Sequence, residues 1–446
     1  MKTVLILGNL TLMMGALITC RIRHFIYITL VFIFFPIHLA FMSNDAITTG
    51  TICIFLLFLK YLTDCFFKRR FIKDAYDWWV YLLIIFGALS IIWPYATGTL
   101  EQTEIGRAVR LFFGFLGAML LFLVIKNAYG QNALPDALSF EDHMETLLTL
   151  ILTLVGCHIL IAVIVKYFPS FGAVFNPFLS RDHEIMDIYG RGGIERIGTF
   201  VFTYEALAEI LAALVPVVVY KIFHQRTMAW FTCFLLFSAG ILLTATRSGI
   251  MLFVTGVILS TLFYAARNFR KSYALVFLTS SLLMFLVFFY PSVFADVTYR
   301  FSEAGGTYSQ GGTFIEVINR EGVFTQAWNE TVSHLSFVGN GVTEFHFHNL
   351  FLTTLHQKGI IGVTLFFIVF LWPLISLIQL YRSGATHRQP LIFACALSIT
   401  LLLINETKYE FTRSASYQQI WWGIIATYLL ISRTPSINVK QEFQHD

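Results

Sequence analysis

The sequence predicts an all-α protein that crosses a membrane about thirteen times. Three observations carry that expectation. Of 446 residues, 57% are apolar and only 13% charged, with a mean hydropathy of +0.72, whereas soluble domains are about a quarter charged. Apolar runs of about twenty residues, each long enough to cross hydrocarbon, recur from one end of the chain to the other. Basic residues gather in alternate loops between those runs. The runs are apolar on every face, which excludes a β-barrel built from short alternating segments.

Taken in order, spans are expected near 3–20, 24–42, 48–67, 78–97, 107–126, 145–168, 197–222, 227–245, 248–266, 273–290, 349–380, 389–404 and 418–432. The first can also be read as a signal peptide, with Lys2, an apolar run and small residues before Cys20. Thr19 is a poor neighbour for a lipidated cysteine, so a retained helix is preferred; the alternative leaves twelve spans. Arg21 and Arg23, "KRRFIK" from Lys68, "RNFRK" from Arg267, Arg382 with Arg388, and Arg433 fall in alternate loops. Positively charged loops stay cytoplasmic, which turns 43–47, 98–106, 169–196, 291–348 and 405–417 outward. The chain therefore divides into ten spans with short loops (1–290), one long outer loop (291–348), and three further spans with a tail (349–446).

The net charge of +4 follows from this bias and gives no reason to invoke nucleic acid. Six cysteines lie within or at the ends of spans with no CxxC pair, so neither a disulfide framework nor a zinc site is indicated. With no P-loop and no glycine-rich dinucleotide fingerprint, bound ATP is not the expected energy source.

Polar groups that a bilayer disfavours collect on the outer side. "YGRGGIERIGTF" carries Arg191 and Arg196 ahead of a span holding Glu205 and Glu209; "TATRSG" puts Arg247 at a tight corner. The long loop contains Arg320 in "INREGVFTQAW" and ends in "VGNGVTEFHFHN", with His346, His348 and Asn349 at the head of the next span. Each has a plainer reading. Arginines at helix ends snorkel to headgroups, and a histidine at a span boundary is commonly interfacial. Glu205, one or two turns inside its expected span, is costly unless it faces a cavity or a basic partner such as Arg196 or Arg247. Their coincidence on one side favours a site. Guanidinium groups bind phosphate bidentately, and imidazole can take a proton from a hydroxyl nucleophile. That chemistry suits a lipid diphosphate and a sugar hydroxyl.

"HNLFLTTLHQKGIIGVTLFF" resembles the H-N-x-x-L…G-x-x-G signature of the O-antigen ligase and polymerase superfamily. "NREGVFTQAWNETVSHLSFVGNGVTEF" resembles its R…W…GxG stretch, "TATRSGIMLF" its helix corner, and "ERIGTFVFTYEALA" its R-x-x-G-x-F segment. The four lie in family order across residues 190–370. The resemblance implies a GT-C-like helical fold and a metal-free, cofactor-free glycosyltransferase in the bacterial inner membrane. Its partners would be an undecaprenyl-diphosphate-linked glycan, a glycan or lipid A-core acceptor, the lipid bilayer, and other polysaccharide-assembly membrane proteins. Arg196 and Arg247 would hold the diphosphate. His348 would be the general base, with His346 the competing assignment, and Arg320 would order the loop or bind phosphate. Arg191, Glu205 and Asn349 complete the expected substrate-binding set.

Within the superfamily, Glu205 after "RIGTF" tips the reading from ligase toward polymerase. A transporter of lipid-linked glycan is the reading from another class; it predicts internal repeats and broken spans near the midplane. No repeat is evident, and Pro373 is the only midspan proline of the later half. In the long loop, "FIEVINREGVFTQAWNETVSHL" can form an amphipathic helix with Phe314, Val317, Ile318, Phe324 and Trp328 near one side. Hinged at the glycines before it, that helix is expected to be either a lid or a static cap.

Overall fold

The computed structural model describes residues 2–37, 48–68, 74–98, 102–128, 140–168, 198–199, 201–225, 227–267, 273, 323–341, 349–383, 388–407 and 415–433. Among them the chain is helical throughout, with no strand. The helices are α1 (Lys2–Thr19), α2 (Ile22–Phe34), α3 (Thr49–Lys68), α4 (Ala75–Ala96), α5 (Gln102–Ala128), α6 (Phe140–Tyr167) and α7 (Tyr204–Gln225). They continue as α8 (Met228–Leu243), α9 (Arg247–Arg267), α10 (Val323–Ser333), α11 (Leu350–Arg382), α12 (Gln389–Glu406) and α13 (Ala415–Leu429), which tightens into a 3₁₀ turn at Leu430–Arg433. Eight of the described helices are long and apolar enough to cross a membrane, and α1, α2 and α8 are shorter apolar helices. This is the architecture of a polytopic membrane protein. The expected span at 273–290 lies outside the described residues, Tyr273 apart.

Helix α7 is the axis of the bundle. Within its apolar window 94% of residues are buried, against 28% for α4 and α9. Small residues let its neighbours close on it. A Cβ added at Gly249 of α9 would come within 2.5 Å of the Ala208 Cβ, and one at Gly256 within 2.8 Å of Val215. A second core forms where α5, α11 and α13 meet. Trp421 stacks on Phe370 at 4.5 Å between ring centroids, and Trp422 meets Phe122 edge-on at 5.5 Å. Both tryptophans are fully buried, so α13 is interior although its first turns carry Gln418 and Gln419.

The two ends of the bundle differ in their polar chemistry. At one, the head of α4 meets the tail of α5, where Lys126 lies 2.8 Å from Asp74 and also pairs with the fully buried Asp77. Close by in the same layer, Lys221 pairs with Glu145, and Arg23 bonds His143 at 2.9 Å. At the other end lie the heads of α7, α9, α11 and α13 and the tail of α12, joined by the contacts described below.

Three boundaries differ from expectation for physical reasons. The seventh helix begins at Tyr204, not near 197, because Thr199 and Thr203 divert the backbone. The Thr199 hydroxyl accepts from Phe202 N–H at 3.1 Å and the Thr203 hydroxyl from Ala206 N–H at 3.2 Å, a side-chain cap at the helix start. Glu205 thus sits half-buried in the first turn rather than inside the span. The run 349–380 is not one continuous helix, since Gly359 breaks it. In α10, finally, Ala327 and Thr331 face inward, while Trp328 is 51% exposed and Val332 and Leu335 share its face.

Candidate functional site

The break in α11 organises the site. Gly359 has φ 67° and ψ −173°, a conformation that an L side chain disfavours. It separates a half-helix over 350–358 from a helix over 360–382. A break inside an apolar segment leaves carbonyls on one side and N–H groups on the other, which hydrocarbon cannot satisfy. Residues 336–341 supply partners to two groups on each side of it. Asn340 and Gly341 N–H donate to the carbonyls of His356 and Gln357 at 3.0 and 3.1 Å, while Ile360 and Ile361 N–H donate to Ser336 and Phe337 at 3.1 and 3.2 Å. The seam closes only because glycines face each other across it. A Cβ on Gly339, where φ is 94°, would lie 2.3 Å from the Gln357 carbonyl oxygen, and one on Gly359 would lie 2.4 Å from that of Phe337. The "VGNG" and "KGIIG" glycines of the sequence are thus two halves of one joint.

Asn349 anchors the head of the half-helix. Its Oδ1 accepts from Phe351 and Leu352 N–H at 2.9 and 3.0 Å, a helix N-cap. Its Nδ2 donates to the Thr407 carbonyl at 2.6 Å, tying α11 to the tail of α12. Expected as a substrate contact, Asn349 is engaged at both ends of its amide by the protein itself. Helix α10 packs on the half-helix through Ala327 and Leu352, and His334 meets His356 edge-on at 6.2 Å between ring centroids.

Beside the half-helix, α4, α5 and α13 line a narrow, partly open cleft. Phe112, Phe115 and Trp422 give it apolar walls; Gln357, Lys358 and Gln418 give it polar ones. Lys358 is crowded by protein yet keeps some accessible surface, as a side chain facing an internal cleft does. Its Nζ lies 3.4 Å from the centre of the Phe115 ring. Its stem passes over Gly362, where a Cβ would come within 2.3 Å of the Lys358 Cβ. The second glycine of "GIIG" therefore makes room for the lysine.

Across the head of α13 from the cleft is a buried acidic group. Glu209 is 1% exposed, accepts from Asn405 Nδ2 at 2.8 Å, and adjoins the Tyr417 hydroxyl and the buried Glu406 carboxyl. Two carboxyl groups in such contact can share a proton, which makes the group a candidate for proton handling.

Of the residues expected from sequence, Arg247 begins α9 half-buried at a corner where Ala245 adopts φ 47°. Gly249 on Ala208 sets this corner against the first turns of α7, near Glu205. Arg247, Glu205 and Asn349 thus belong to the same end of the bundle. His346, His348, Arg191, Arg196 and Arg320 lie outside the described residues. The inner glutamate is Glu209, one turn beyond Glu205, and sequence reasoning gave no role to Lys358, Gln357, Gln418, Glu406 or Tyr417. The visible signal for Lys358 was a lysine within an apolar run, which is rare unless it faces a cavity. No family model matches the chain, and no curated protein matches it.

Proposed function

We propose that the chain is a membrane glycosyltransferase that moves a glycan from undecaprenyl diphosphate to an acceptor sugar hydroxyl at the outer face of a bacterial inner membrane, acting as a polymerase of lipid-linked repeat units on a GT-C-like scaffold. The observation that carries this reading is the anchored head of α11. Asn349 fixes the first turn after His348 in the chain; that turn borders a cleft holding a lysine and lies at the same end of the bundle as Arg247. In the proposed reaction His348 takes the proton from the acceptor hydroxyl. The acceptor oxygen bonds to the anomeric carbon as the bond to the diphosphate oxygen breaks, and undecaprenyl diphosphate leaves with the electron pair. Arg247 and Arg196 balance the charge that develops on that oxygen.

The break at Gly359 is the kind of feature a transporter uses. However, the continuous segment 360–382 rises about 34 Å, a full membrane thickness, which puts the break at the edge of the span and not at its middle. The enzyme reading is preferred on that ground. Its test is a deletion strain complemented with wild type or His348→Ala, with lipid-linked and lipid-A-linked glycans separated by length. Single repeat units on the core in the deletion strain mean a polymerase, and long chains stranded on the carrier lipid mean a ligase. A deletion that leaves glycans unpolymerised on the cytoplasmic face means a transporter. Wild-type glycans from His348→Ala at equal expression would sink the assigned base.

A further inference from the structure

We infer that the cleft between α4, α5, α11 and α13 is a diphosphate-binding site in which Lys358 adds a countercharge to those proposed for Arg247 and Arg196. This deepens the proposed function and rests on it for the identity of the natural ligand, a polyprenyl diphosphate.

Lys358 has no ion pair or hydrogen bond among the described residues, and its contact there is the Phe115 ring. A lysine so enclosed, without an acceptor, is costly for the folded protein alone. Two residues that line the cleft carry buried polar atoms with no hydrogen-bond partner among the described residues, Gln357 Nε2 and Gln418 Oε1. Gln357 and Lys358 adjoin in sequence and both line the cleft, so an anion that draws the amide toward the ammonium would meet two donors in one place. That is the complement of an anion. Gln418 brings an acceptor across from them, suited to a hydroxyl next to that anion, as on the first sugar of a glycosyl diphosphate.

The rest of the cleft fits a lipid-linked ligand. Phe112, Phe115 and Trp422 offer apolar faces for an isoprenoid segment or a sugar ring. The outer faces of α4 and α5 expose Ile92, Trp93, Val109 and Phe113, an apolar surface on which the isoprenoid part of such a ligand would lie. The joint at Gly359 also explains why this lysine stands where it does. It ends the half-helix directly after Lys358, and Gly362 leaves space for the stem, so the ammonium is held at the seam instead of reaching for an interface.

The test uses full-length protein in phosphatidylcholine nanodiscs with radiolabelled farnesyl diphosphate as probe. Saturable binding is expected, weakened about tenfold or more in Lys358→Met and several-fold in Gln357→Leu, each of which removes a charge-assisted donor while keeping bulk. Gly362→Ala, which displaces the lysine stem, should weaken binding as well. If Lys358→Met is not recovered folded, Gln357→Leu decides. Binding equal to wild type in the folded variants, or no saturable binding in the wild type, overturns the inference. Competition by inorganic pyrophosphate identifies the diphosphate as the recognised group. Competition by phosphatidylglycerol alone identifies a bulk-lipid headgroup and overturns the assignment. The two proposals fail separately: lysine-dependent binding without any glycan defect in the deletion strain rejects glycosyl transfer and keeps the site. A glycan defect rescued by Lys358→Met, with probe binding unchanged, rejects the site and keeps the transferase.

Discussion

Lys126 and Lys358 are both lysines enclosed in the membrane-spanning part of the same bundle, at opposite ends of it. Lys126 lies between Asp74 and Asp77, with Asn127 donating to the second carboxylate at 3.1 Å. Lys358 faces a cleft, with an aromatic ring beneath it and a buried amide donor beside it. The first arrangement is filled by the protein itself: the ammonium has two carboxylate partners, and both carboxylates have donors. The second faces a cleft, beside a joint held by four backbone hydrogen bonds. Buried charge thus does two kinds of work here, locking one end of the bundle and preparing the other.

The joint itself is the most sensitive place to break this contrast. Gly359→Ala and Gly339→Ala each introduce a Cβ into backbone atoms at positive φ, and each should destabilise the fold by on the order of 3 kcal/mol or more. Yield and unfolding temperature in detergent measure this; near-wild-type values would mean that the seam is not closed as described. Next come the two lysines. Lys126→Met abandons a fully buried Asp77 and should cost about 3–5 kcal/mol, with Lys126→Met/Asp77→Asn recovering part of it. Lys358→Met removes a charge that the described protein does not pair, so its unfolding temperature should equal or exceed that of wild type. Equal destabilisation by the two single substitutions would erase the distinction drawn between the ends. The smallest effect belongs to Asn349→Ala, which loses the cap at a cost of about 1 kcal/mol. Asn349→Asp keeps the accepting oxygen and loses the bond to Thr407, so it should fall between Ala and wild type in thermal unfolding.

Most of the bundle was legible as apolar runs, because a bilayer asks for length and hydropathy before anything else. What hydropathy could not show was the break in α11, since "IIGVTLFF" is as apolar as any unbroken span. The three successive polar residues His356, Gln357 and Lys358 were the local sign of it, but the partners that make the break tolerable come from 336–341, a long-range pairing. The placing of Glu205 inside its span has a local cause: two threonine caps delay α7 by about two turns relative to the apolar run. Trp328 shows a limit of another kind. In a membrane protein a large apolar residue is as much at home facing lipid as facing the core, so the apolar stripe of α10 did not reveal which face would be buried. Of the candidate site, Arg247, Glu205 and Asn349 lie at one end of the bundle. The amide groups around Lys358 could not be read, because nothing local marks an unmet hydrogen bond.

The seam at Gly359 also fixes a length. Hydrogen bonds from Gly341 to Gln357 and from Asn340 to His356 staple the chain to itself across the stretch that includes "FHFHN". The staples therefore fix a register as well as a distance. An added or deleted residue between 350 and 357 would turn His356 and Gln357 by about 100° away from Asn340 and Gly341. Variation in length should accordingly be refused inside the half-helix.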